Sequence, residues 1–246
     1  MPTPAVTPES RERLGALGAV AIHSVIAIAL ISVSVSRASI VLPVTLSLPT
    51  GGLGVFSSVD LALAAAVVVI VSVVARMALI VSGARGASLA RRRGVRYLEL
   101  SQVAGITIVV VVLVNGVTEA GILVLSYAIA AATIGSLWIQ GRGSAADREA
   151  PWPYSASAAL AIVPWGVVAL YQIAGIALAV PPAPIVRVLT VVILVLAMAM
   201  WLVERRWQLG TLTDERTDAL HTLLTAANGL ALLVLVVGLA RPSALL

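Results

Sequence analysis

Residues 98–140 read LELSQVAGITIVVVVLVNGVTEAGILVLSYAIAAATIGSLWIQ, and this stretch decides the fold class. Two apolar runs, at about 98–116 and 120–140, each have the roughly 20 residues that a helix needs to cross a bilayer. Only the polar residues around Asn115 and Glu119 interrupt them. The stretch therefore predicts two antiparallel membrane-spanning helices joined by a tight turn.

The rest of the chain has the same character. Of its 246 residues, 60% are hydrophobic and 11% are charged, and the mean hydropathy is +1.08. A soluble domain is about half apolar and about a quarter charged, so this composition excludes a soluble enzyme. It also excludes a disordered chain, which would be polar and charged. Cysteine is absent, which removes disulfides and thiolate chemistry.

Further apolar runs bring the number of predicted spans to seven. Residues 1–14 are polar and the run after them is long enough to cross a membrane, so it predicts an uncleaved first helix. We expect a single all-α domain over 1–246, a seven-helix membrane bundle with its termini on opposite sides. The predicted spans are about 15–36, 59–82, 98–116, 120–140, 156–179, 185–203 and 218–240.

The positions of the basic residues predict the orientation. All sixteen are arginines, and the chain contains no lysine. Twelve arginines fall in segments on the side of the amino terminus and three on the other side, while Arg76 lies within a span. By the positive-inside rule, the amino terminus is expected in the cytoplasm and the carboxy terminus outside.

The longest connection on the outer side, residues 37–58, predicts a β-hairpin. Two β-prone runs, 41–48 and 53–56, flank the turn sequence Pro-Thr-Gly-Gly at 49–52. The segment is too short and too interrupted to be an eighth span.

Several short motifs occur in an order and spacing that resemble the heliorhodopsin family over nearly the whole chain. They are Arg-Tyr-Leu-Glu-Leu-Ser at 96–101, Ile-Val-Pro-Trp at 162–165, His23 in the first helix, Trp-Ile-Gln at 138–140 and Glu-Arg at 215–216. The resemblance implies a rhodopsin-like bundle with an inverted orientation and an outer hairpin that mediates dimerisation. It also implies that Glu99 occupies the position of the Schiff-base counterion.

The chain departs from this family at the chromophore. Heliorhodopsins hold retinal as a Schiff base on a lysine of the seventh helix. Counting back from Gly238 places Asn228 at that position, whereas counting forward from Glu215 places Ala226 there. Neither side chain can condense with an aldehyde, so we expect no covalent cofactor, while noncovalent retinal or another apolar ligand stays open. A pocket histidine of the family is also replaced, near Met77.

Charges within a span are costly and are candidates for function. Glu99 either pairs with Arg76 or Arg96, remains a neutral acid, or serves a ligand. Asn228 is placed to hydrogen-bond it. The other candidate pocket residues are His23, Ser101 and Trp165, for which packing is the competing interpretation.

The remaining polar residues give no catalytic or metal signature. His221 and Asp218 lie near the start of the seventh helix, where a solvated helix end is the favoured interpretation. No nucleotide-binding glycine loop and no metalloprotease motif occur, and no nucleic-acid partner is expected. We expect no enzyme, since Glu99 is the only acid predicted within a span.

The sequence favours a sensory or regulatory module of the cell membrane. It would bind an apolar ligand noncovalently or act through a partner protein, as a homodimer in the lipid bilayer. The alternatives are an ion or small-molecule translocator and a structural dimeric membrane subunit. The translocator ranks lower, because spans two, four and six offer few polar side chains.

Overall fold

A computed structural model describes residues 8–36, 39–47, 51–84, 86, 88–144, 148 and 152–240. In this part of the chain, seven helices are long and apolar enough to cross a membrane. They confirm the predicted seven-helix bundle. The helices are α1 (Pro8–Val35), α2 (Leu61–Ala84), α3 (Leu89–Val114), α4 (Ala120–Gly141), α5 (Tyr154–Ala177), α6 (Pro184–Gln208) and α7 (Asp214–Ala240).

Two helices continue well beyond the apolar runs that predict them. α3 begins at Leu89, whereas the apolar run begins at about 98, and α6 continues to Gln208. The hydroxyl of Ser88 accepts a hydrogen bond from the backbone N–H of Arg91 and caps α3. Arginine is a good helix former, so the helix includes the arginine run 91–93, although hydropathy places it outside the membrane.

The predicted hairpin is present between α1 and α2. Its strands are β1 (Val41–Ser47) and β2 (Leu53–Asp60), which pair antiparallel with an irregularity after Val44. The Pro-Thr part of the predicted turn lies outside the described residues. The backbone N–H of Thr45 donates to the carbonyl of Thr118 at 2.8 Å, which fixes the hairpin to the α3–α4 turn.

Asp60 closes the hairpin and opens α2. Its carboxylate accepts hydrogen bonds from the backbone N–H of Leu63 (2.9 Å) and from the hydroxyls of Ser39 (2.7 Å) and Ser34 (2.9 Å). Burial raises the pKa of Asp60, but these hydrogen bonds outweigh it and hold the pKa below its ordinary value. The bond from the backbone N–H of Leu63 makes Asp60 the cap of α2.

α3 is the most deeply buried helix, and it forms the centre of the bundle. Its residues Val110–Leu113 are at most 1% exposed. At Gly105 the ring of Tyr127 on α4 approaches so closely that an added Cβ atom would lie 2.6 Å from it. The close approach of a neighbouring helix at a small residue such as Gly105 is typical of helices that associate in a membrane.

Candidate functional site

A cavity of about 490 Å³ that is partly open at the surface of the bundle lies among α3, α4, α5, α6 and α7. Its walls are almost entirely apolar, and its size lies within the range of small-molecule binding sites. Aromatic side chains, those of Tyr97, Trp165 and Trp201, also reach it. The residues discussed below that line it are Tyr97, Thr107, Trp165, Ala197, Trp201, Glu204 and Asn228.

The cavity follows the helix axes. Its lining residues on α3 extend from Tyr97 to Ile108, and those on α6 from Ile193 to Glu204. At 1.5 Å per residue, either stretch is about 16 Å long. The lining positions recur every three or four residues, so each helix turns one face to the cavity.

One end of the cavity carries an acidic group, and we call Tyr97 and Glu204 the acid end. The hydroxyl of Tyr97 donates a hydrogen bond to Oε1 of Glu204, which is 2% exposed. A guanidinium nitrogen of Arg96 and Nε2 of His221 each lie 4.0 Å from Oε2. Among the described residues, Oε2 makes no hydrogen bond.

The other end carries neutral polar groups, and we call Thr107 and Asn228 the amide end. The Asn228 side chain donates to the Thr107 hydroxyl at 2.9 Å, and both residues are buried. The amide therefore bonds Thr107, and not Glu99 as the sequence suggested. Ala226, the other candidate for the lysine position, is half-buried and lies outside the cavity lining.

Glu99 lies outside the cavity lining, in an ion pair between α2 and α3. Its two carboxylate oxygens each lie 3.2 Å from one guanidinium nitrogen of Arg76. The side chains are 0% and 5% exposed, respectively. Of the two arginines expected as partners, Arg76 therefore makes the contact, while Arg96 contacts Asp218 at 2.7 Å.

His23 is a buried packing residue that joins α1 to α7. Its Nδ1 lies 2.8 Å from the carbonyl of Ala19 and its Nε2 lies 3.1 Å from the hydroxyl of Thr225. Neither His23 nor the half-buried Ser101 lines the cavity, so the structure does not bring them together with Trp165, which does. Met77 is 46% exposed and also lies outside the lining.

Two residues near the arginine-rich end of the bundle are more buried than their positions in the sequence suggested. His221 is fully buried, which corrects the interpretation of a solvated helix start. Trp207 is 5% exposed, although it follows the apolar run that predicts the sixth span, and the guanidinium of Arg93 stacks on it at 4.6 Å. The described residues contain no group of three side chains suited to a metal ion.

Sequence reasoning missed Glu204 as a residue of the site. It follows the apolar run 185–203, so hydropathy placed it outside the span and left Glu99 as the only internal acid. The helical spacing of Ala197, Trp201 and Glu204 is the signal that could have found it, since these residues share one face.

The fold and the cavity define a multi-pass membrane protein of seven helices with a mostly apolar cavity that is partly open at its surface. The Heliorhodopsin family model matches residues 14–215, and the chain belongs to the heliorhodopsin family. This match confirms the resemblance carried by the short motifs. It ends close to the start of α7, the helix that lacks the lysine. No curated protein matches the sequence.

Proposed function

We propose that this heliorhodopsin-family protein is a sensory or regulatory membrane module that binds an apolar ligand noncovalently. The observation that carries the proposal is a ligand-sized apolar cavity in a chain whose 246 residues include no lysine. Ligand binding that changes how α5 and α6 pack against the rest of the bundle would provide the signal, because these helices form much of the cavity wall.

The proposal excludes a retinal Schiff base. Asn228 and Ala226, the two candidates for the lysine position, cannot form an imine, and the acid at the counterion position already has Arg76 as its cation. Retinal is a permitted ligand only if it is held by packing in the cavity. No enzymatic step is part of the proposal.

The same proposal includes a homodimer through the hairpin. Leu53, Val55 and Phe56 on β2 are each at least 69% exposed. Exposed apolar side chains on a strand indicate a surface that a partner covers. A second copy of the chain is the partner favoured by the family resemblance, and a different protein in the same membrane is the alternative.

A translocation path has less support. Polar groups cluster at the acid end and around Asn115, which bonds Thr190 and Gln172 near the opposite end of the bundle. Between Thr107 and Asn115, the interior of α3 is the apolar segment Val110–Leu113. An ion pathway needs a continuous set of polar side chains.

Retinal binding followed by borohydride treatment tests the proposal. The purified protein is incubated with all-trans retinal, and its absorption spectrum and thermal stability are measured. We expect a saturable rise in melting temperature and no covalent adduct after borohydride. A red-shifted band with a trapped adduct would overturn the noncovalent assignment.

Two tryptophan substitutions on α6 make the test specific for the cavity. Ala197→Trp fills the cavity and should abolish the retinal effect. Val191→Trp adds the same side chain at a position that is 56% exposed, and it should leave the effect intact. Equal binding by both variants would show that retinal partitions elsewhere and would refute the cavity as its site.

A further inference from the structure

Among the described residues, no cation hydrogen-bonds to the Glu204 carboxylate at the acid end of the cavity. Arg76 pairs with Glu99 and Arg93 pairs with Asp214, so these charges compensate each other. Among the described residues, Arg96 is the arginine whose guanidinium lies within 4.0 Å of both Glu204 and Asp218.

Arg96 lies closer to the carboxylate of Asp218 than to that of Glu204. It lies 2.7 Å from Asp218 and 4.0 Å from Glu204. His221 is also 4.0 Å from Glu204, which is too long for a hydrogen bond. The hydroxyl of Tyr97 therefore donates the one hydrogen bond that the described residues give to the Glu204 carboxylate.

A buried carboxylate with incomplete pairing is costly, and a donor brought to it lowers that cost. Glu204 lies in the cavity wall, so a bound ligand can supply such a donor. The amide end is neutral, and its Asn228 side chain already donates to Thr107. The two ends therefore select different polar groups, and a cation is favoured only at the acid end.

The shape of the cavity limits the rest of the ligand. Its lining extends about 16 Å along the helices, and its volume of about 490 Å³ is that of a small-molecule site. An extended chain or a polyene can therefore lie along it, with its long axis parallel to the helices. Besides the two ends, the polar groups of the lining are the hydroxyl of Thr133 and the indole nitrogens of Trp165 and Trp201.

We propose that the cavity takes a slender apolar ligand with a primary amine at one end, and that the protonated amine lies against Glu204 and Tyr97. An alcohol is the second choice, because it donates a hydrogen bond without bringing a charge. The inference rests on the proposed noncovalent binding and adds the chemistry and the orientation of the ligand.

Four retinoids that share one skeleton test this chemistry. Retinylamine, retinol, retinal and retinyl methyl ether differ only in the polar end. Each is titrated into the protein in phosphatidylcholine nanodiscs, and quenching of tryptophan fluorescence is measured, since Trp165 and Trp201 line the cavity. Subtraction of the signal from the Ala197→Trp variant removes ligand that has only entered the lipid.

We expect retinylamine to bind about tenfold more tightly than the methyl ether, the ratio that one charge-assisted hydrogen bond supplies. Glu204→Gln should bring the two dissociation constants within about twofold. Glu215→Gln makes the same chemical change at an exposed position of the same end of the bundle, and the tenfold ratio should persist there.

The outcomes separate this inference from the proposed function. Equal binding of all four retinoids, or tighter binding of the aldehyde, would refute the amine and leave noncovalent binding standing. A ratio that persists in Glu204→Gln would also refute it, because the donor would then lie elsewhere. A lack of saturable quenching by every retinoid would refute both proposals.

Discussion

Substitution of Arg76 by methionine should be the most destabilising change at the buried ion pair. Methionine keeps much of the length of the side chain and removes its charge. The carboxylate of Glu99 then remains in the interior with no cation in contact, since its side chain is 0% exposed. Breaking a buried pair from one side costs about 3–5 kcal/mol, and we expect Arg76→Met to lose this much free energy of unfolding.

The double variant Arg76→Met/Glu99→Gln should recover much of that loss. It removes both charges together, and replacement of a whole buried pair by neutral groups is often close to neutral in stability. Glu99→Gln alone should cost less than Arg76→Met, because a long arginine side chain can reach toward the polar end of the helix. The coupling between the two positions is then the difference between the double variant and the sum of the single ones.

Unfolding in mixed micelles, followed by tryptophan fluorescence, gives the free energies for this cycle. Arg216→Met is the control, because Arg216 is exposed on α7 and its loss should change stability by at most about 0.5 kcal/mol. If Arg76→Met is no less stable than the double variant, Glu99 does not depend on Arg76, and the reasoning fails.

Three further predictions concern packing, pH and the vacated lysine position. Gly105→Ala should cost about 1–3 kcal/mol, because its Cβ would meet a tyrosine ring, whereas Gly135→Ala has open space and should be neutral or stabilising in the same unfolding assay. Asp60 has a lowered pKa in the folded state, so its stabilisation is present above about pH 4 and is lost as the pH falls. The melting temperatures of the parent protein and of Asp60→Asn should therefore converge between about pH 5 and pH 2. A constant difference between them would contradict this. Asn228→Lys should form a retinal adduct that borohydride traps, and Ala226→Lys should not, because of these two residues only residue 228 lines the cavity. Mass spectrometry of the reduced protein detects the adduct. An adduct on Ala226→Lys but not on Asn228→Lys would reject the placement of residue 228 in the cavity wall.

The sequence predicts the spans and the hairpin because both depend on local composition. Runs of about 20 apolar residues identify membrane helices regardless of how these helices pack. The ion pair between Arg76 and Glu99 is harder, since its partners lie on different helices and the rotation of each helix decides whether they meet. In lipid, both faces of a helix are apolar, so periodicity does not reveal the inner face as it does in water. Arg76 could be listed as a possible partner, but only the packing of α2 on α3 selects it over Arg96.

The cavity could not be predicted from the sequence, because it too depends on how the helices pack. Its wall is shared by five helices, and most of its lining residues are ordinary apolar side chains. Glu204 escapes prediction for a different reason. It is the first charged residue after the apolar run 185–203, so hydropathy places it outside the span. Its burial beside Tyr97 results from the continuation of α6 to Gln208, past the end of the apolar run.

The arrangement of charges explains how this fold can persist without the family's lysine. The resemblance implies that Glu99 occupies the place of an acid that balances a protonated Schiff base. Arg76, at 3.2 Å, supplies the positive charge here, so the acid is compensated whether or not the cavity is filled. At one of the two candidate lysine positions, Asn228 lines the cavity with its amide bonded to Thr107. The charge of Glu99 therefore has a partner without a chromophore, and a ligand held noncovalently, as proposed, would be free to exchange. Reversible binding suits a protein that reports the presence of a ligand, whereas a permanent chromophore suits one that reports light.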